Sequence, residues 1–110
     1  MEKKEHTYWV KIEIAGDYHV AKQVCREFCM DEGACVQVHL VDYVYTGGEE
    51  SGVSVMFVNY PRFPKDSDEI YRQAKRLALK LRDRMCQWSV MLITPTTTTW
   101  LTAREERENG

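Results

Sequence analysis

Along this chain the spacing of apolar residues switches from period two to period 3.6 and back, twice. Few folds accommodate that alternation. In residues 7–14, Tyr8, Val10, Ile12 and Ile14 fall on one face and Thr7, Trp9, Lys11 and Glu13 on the other, the pattern of a half-buried strand. Ala15-Gly16-Asp17 breaks it, with Asp17 placed to cap a helix. Over residues 18–32, Val20, Ala21, Val24, Cys25, Phe28 and Cys29 line one helical stripe, and Gly33 follows as a C-terminal stop. Residues 35–45 are rich in β-branched and aromatic side chains and read as a second strand. Thr46-Gly47-Gly48-Glu49-Glu50-Ser51-Gly52 is turn chemistry, and residues 53–60 form a third strand, so the pair reads as a hairpin with a loop of several residues. After Pro61-Arg62-Phe63-Pro64, Asp66 with Glu69 three positions on fits a capping box. Ile70, Ala74, Leu77, Ala78, Leu81 and Met85 then make the apolar face of a long helix. Residues 87–94 are a fourth strand, Pro95 ends it, and residues 96–102 return as a short edge strand.

The order β-α-β-β-α-β predicts an α+β, ferredoxin-like domain: an antiparallel sheet with both helices on one face and an extra C-terminal strand. Residues 1–102 are read as one domain and residues 103–110 as a charged, frayed tail. A chain of 110 residues supports one ordinary core without staples. A formal charge of −2 excludes a strongly basic nucleic-acid coat. The recurring Arg72, Arg76, Lys80 and Arg84 are then read as a solvated helix face. The charged start Met1-Glu2-Lys3-Lys4-Glu5-His6 has no apolar segment after it, and no run approaches the ~20 residues that span a bilayer. These features predict a cytoplasmic protein without a membrane partner. Cys25, Cys29, Cys35 and Cys86 each lie in an apolar pattern and are read as reduced core thiols. A zinc site from Cys25, Cys29, Cys35, His19 and His39 is set aside because closely spaced ligand pairs are missing. No metal, cofactor or catalytic residue is assigned.

Two helices cover one sheet face, and the other is not clearly polar here. Trp9, Tyr43 and Trp88 are expected on or beside that face, which predicts a homodimer or a partner protein. A C-terminal segment folded over the sheet is the competing account. Pro61 and Pro64 hold Arg62 and Phe63 in an extended link, and these are side chains typical of binding hot spots. The same link is equally read as a rigid connection with Phe63 plugging the core edge. Nucleic acid ranks below protein as a partner. Trp9, Tyr43 and Phe57 are available to stack bases, yet the aromatic core motif of RNA-recognition domains is absent.

Tyr45-Thr46-Gly47-Gly48-Glu49-Glu50 resembles the signature hairpin of diguanylate cyclases. That resemblance implies a nucleotide or metal loop of Gly47, Gly48, Glu49 and Glu50, with Glu13 or Asp17 supplying a second carboxylate. Read simply as a hairpin turn, the same residues put Gly48 at positive φ and leave the two acids exposed. The cyclase resemblance covers about six residues, and Ser51 stands where that family has phenylalanine. The segment from Tyr45 through Pro64 is also similar to a small family of phage and prophage proteins of unknown function, which implies a bacterial host cell. Together these readings favour a small non-enzymatic binding protein. Its target is a host protein or signalling molecule, reached through the open face and the 59–64 link. A nucleotide-binding or nucleotide-processing domain centred on residues 46–50 is the alternative, and an RNA-binding module ranks behind both.

Overall fold

A computed structural model of the chain describes residues 1–104. The elements are β1 (Trp9–Ala15), α1 (Tyr18–Glu32), β2 (Gln37–Tyr45), β3 (Gly48–Val58), α2 (Ser67–Arg84), β4 (Ser89–Ile93) and β5 (Thr98–Thr102). All strand pairs are antiparallel, in the order β2-β3-β1-β4-β5. This is the ferredoxin-like arrangement with an added edge strand, as the periodicity predicts.

Local chemistry sets both helix starts. The Asp17 carboxylate accepts a hydrogen bond from the Val20 amide at 3.0 Å. The Asp66 carboxylate accepts from the Asp68 and Glu69 amides at 2.7 and 3.2 Å. Each removes an orphan donor from a first turn. Gly33 ends α1 at φ 68°, with its amide donating to the Cys29 carbonyl.

Val10, Ile12 and Ile14 of β1, Val53, Val55 and Phe57 of β3, and Val90 and Leu92 of β4 form the sheet side of the core. Ala21, Val24, Cys25 and Phe28 of α1 and Ile70, Ala74, Leu77, Ala78 and Leu81 of α2 close it from above. Each fully buried large side chain contributes about 1.5–3 kcal/mol. Phe57 therefore belongs to the core, packed edge-on against Phe28, and is not available as a stacking platform.

Three expectations change in the structure. The hairpin turn is only Thr46-Gly47. Gly48 already pairs with Tyr45, Glu49 with Val44 and Glu50 with Tyr43. Gly47, not Gly48, takes the left-handed conformation at φ 87°. Residues 98–102 form the expected edge strand and do not fold over the open face as the competing account had it. Second, the packed structure runs past residue 102. Ala103, placed in the tail by composition, is buried and bonds the Trp88 carbonyl; residues 105–110 lie outside the described residues. Third, the four cysteines are free thiols, but only Cys25 is buried; Cys35 and Cys86 are exposed. No helix among the described residues is long and apolar enough to cross a membrane.

Candidate active site on the open sheet face

Strand alternation places Glu13 of β1, Tyr43 of β2 and Ser54 of β3 on the face turned away from the helices. Glu13 lies opposite Ser54, and Tyr43 lies opposite Glu50. The Ser54 hydroxyl donates to Glu13 Oε1 at 3.0 Å, and Ser54 is only 8 % exposed. The Tyr43 hydroxyl is 2.9 Å from Glu13 Oε2 and 2.9 Å from the Val53 carbonyl oxygen, and its single proton is donated to one of them at a time. Burial raises the Tyr43 pKa above its ordinary value. The hydrogen bond to Glu13 and the negative charges of Glu13 and Glu50 add to the rise. Tyr43 is thus a neutral donor that holds a carboxylate in place.

Gly52 makes room for this arrangement. A Cβ there would stand 2.4 Å from the Ile14 carbonyl oxygen and 2.6 Å from Tyr43 Cε2. The tyrosine ring reaches Glu13 only because residue 52 has no side chain.

Beside the cluster runs an open cleft of about 300 Å³. Its walls include Glu13, Tyr43, Glu50, Trp88, Ser89, Met91, Trp100 and Arg104. Among the described residues, two carboxylates thus share a cleft with two indoles and one guanidinium. The Arg104 guanidinium lies 5.7 Å from the Trp88 ring centre. Each Glu13 oxygen lies within hydrogen-bond distance of one protein hydroxyl and retains capacity for a further donor. The arrangement suits a ligand that is cationic near Glu13 and anionic near Arg104, with a flat apolar part for the indoles.

The residues singled out in the sequence divide between two regions. Tyr43, Glu50 and Trp88 line the cleft. Trp9 lies on the same face, half-buried, with the Lys11 ammonium 5.5 Å from its ring centre. Arg62 and Phe63 lie elsewhere: Phe63 is 64 % exposed, so it does not plug the core; it stacks on Tyr60 at 6.1 Å, with Arg62 over it at 5.2 Å. The acidic hairpin splits as well. Glu49 and Glu50 are consecutive strand residues and so point to opposite faces, which removes the convergent pair a shared metal needs. Among the described residues no group of three or more His, Cys, Asp or Glu is arranged to hold a metal ion. Glu13, named in the sequence only as a companion to the hairpin, is the centre of the cluster. Ser54, Met91 and Trp100 are brought to the site by strand register, and Arg104 by its place just after β5.

No protein-family model matches the chain, and no curated protein does either. Solved structures do. A phage SAM lyase in its apo state is similar with a TM-score of 0.71 and 17 % identity, over 94 % of this chain and 95 % of the other. A phage SAM lyase in complex with S-methyl-5′-thioadenosine gives 0.68 and 12 %, with the same coverage. CutA from Synechococcus elongatus gives 0.53 and 12 %, over 96 % of this chain and 88 % of the other. These likenesses show a shared fold. They also overturn the expectation of a non-enzymatic binding protein, since the phage proteins with this architecture are enzymes.

Proposed function

We propose that this protein is an enzyme of the SAM lyase type, acting on S-adenosylmethionine at the Glu13 cleft. The observation that carries the proposal is the Glu13 carboxylate, held by two hydroxyls at 2.9 and 3.0 Å inside an indole-walled cleft. The phage enzyme that shares the fold has been seen with S-methyl-5′-thioadenosine, and such a ligand matches the chemistry of this cleft.

S-adenosylmethionine is a sulfonium with an adenine ring and an amino-acid carboxylate. Its cation is attracted by Glu13, Glu50 and the indole faces. Its purine is suited to stack on Trp88 or Trp100, and its carboxylate to pair with Arg104. In the reaction the bond from sulfur to the four-carbon side chain breaks and its electron pair moves to sulfur. S-methyl-5′-thioadenosine then leaves as a neutral thioether. The four-carbon fragment closes on its own carboxylate or gives up a proton, for which Glu13 is the available acceptor. Tyr43 and Ser54 fix the Glu13 rotamer and so act as positioning residues.

Incubation with S-adenosylmethionine and chromatography of the products tests the proposal. Wild-type protein is expected to release S-methyl-5′-thioadenosine. Glu13→Gln should lower the rate by roughly 100-fold or more at unchanged melting temperature, a loss typical of removing one positioned polar group. Tyr43→Phe should lower it less. Absence of the thioether product from concentrated wild-type protein would reject the proposal.

A further inference from the structure

A second cavity of about 500 Å³ lies away from the Glu13 cleft, where the end of α1, the end of β3, the 59–64 link and the start of α2 meet. None of the residues lining it lines the Glu13 cleft. Buried Phe57 and Ile70 form part of its wall, and the stacked pair Tyr60 and Phe63 forms another. Its size is in the range of small-molecule sites.

Among the described residues of the lining, Lys65 is the one that carries a charge. Its ammonium donates to the Gly33 carbonyl at 3.2 Å and to Gln73 Oε1 at 3.2 Å, both neutral acceptors. Among the described residues it has no carboxylate within ion-pair distance. Gln73 is 6 % exposed, and its oxygen is fixed toward the ammonium. Its amide nitrogen is left as a second donor next to the cation. An apolar chamber with one unneutralised ammonium and an amide donor is complementary to one kind of ligand.

We infer that this cavity binds a small amphiphilic monoanion, with an apolar or aromatic body inside and a carboxylate or sulfonate head on Lys65. The Pro61–Pro64 constraint holds the Tyr60–Phe63 wall in place before the ligand arrives, which limits the entropy lost on binding. The site is independent of the lyase proposal.

The full-length protein is titrated with 1-anilinonaphthalene-8-sulfonate, an aromatic sulfonate, and with N-phenyl-1-naphthylamine, its uncharged counterpart. Saturable binding of the sulfonate at one site per chain is expected. Lys65→Met should weaken it about tenfold, the loss expected for one charged hydrogen bond, while Lys65→Arg retains it. Binding of the uncharged counterpart should be the same in all three proteins, which separates loss of charge from loss of fold. Cys35 lines the cavity and Cys86 does not, and both are exposed. Bound sulfonate should therefore slow alkylation of Cys35 and leave Cys86 unchanged. Absence of saturable binding, equal affinity in Lys65→Met, or no protection of Cys35 would each overturn the inference. S-methyl-5′-thioadenosine formation is measured separately, so failure of one reading leaves the other standing.

Discussion

At the scale of single residues, the site depends on a missing side chain as much as on those present. Gly52 has ordinary strand geometry, yet a Cβ there would meet two backbone atoms within 2.8 Å as well as the Tyr43 ring. Backbone cannot move aside as a flexible side chain can. Gly52→Ala is expected to cost about 1–3 kcal/mol and to displace Tyr43 from Glu13, as read by chemical denaturation and by loss of the proposed lyase activity together. Cys25 sets a second residue-scale expectation. Burial, assisted by the neighbouring Cys29, pushes its pKa up from 9.0 to about 12. In the folded protein the thiol keeps its proton where the unfolded chain has lost it, so stability must fall as pH rises above 9 toward about 12. The slope is about 1.4 kcal/mol per pH unit from this group. Urea melts across that range should show a shallower decline for Cys25→Ala. Tyr43, also raised, adds a loss of the same sign above pH 10.

At the scale of elements, the β2–β3 hairpin departs most from its sequence pattern. Gly-Gly-Glu-Glu-Ser-Gly has the composition of a loop, but cross-strand pairing extends from Gln37↔Met56 to Tyr45↔Gly48. Tyrosine rings make this tolerable. The site of a Cβ on Gly48 lies 3.0 Å from the Tyr45 ring, as Gly52 lies under Tyr43, so aromatic cover replaces the missing side chains. The pleat then gives the two acids different roles. Glu50→Gln should reduce the proposed lyase activity, since Glu50 faces the cleft, whereas Glu49→Gln should leave both that activity and stability within about 0.5 kcal/mol of wild type. Equal effects from the two substitutions would contradict the register. α1 and α2 keep their predicted places and caps, which are local signals, although Val20, read into the α1 stripe, is exposed.

At the scale of the whole molecule, the sheet is covered on one side only. Trp9, Val41, Met56, Met91 and Ile93 are half-buried on the open side, and Trp100 is 59 % exposed there. Lys11, Glu13 and Ser54 interrupt this surface, so it is mixed in character. The hairpin also projects apolar residues beyond the helices, with Leu40 70 % and Val44 77 % exposed. Self-association through these surfaces is the expected outcome. Light scattering should give a mass above that of one chain, and Trp9→Glu should lower it by placing a charge in the contact. A monodisperse single-chain mass at high concentration would oppose that expectation. Self-association would further enclose the Glu13 cleft, which opens on the same face.

The elements, their order and both helix starts were legible in the sequence because each rests on residues within one or two turns of each other. Asp17, Gly33 and Asp66 are caps wherever they are read, and period two against period 3.6 separates strand from helix without knowledge of the fold. The order alone then selects the ferredoxin-like sheet. Site geometry is another matter. Glu13, Tyr43 and Ser54 are 30 or 41 positions apart along their hydrogen bonds, and whether they meet depends on strand register. A shift of one residue would send each to the opposite face. The hairpin's true turn, the core burial of Phe57, the exposure of Cys35 and Cys86, and the chamber around Lys65 likewise depend on what packs against what. Local composition carries no record of those contacts; they are created when the sheet closes against its helices.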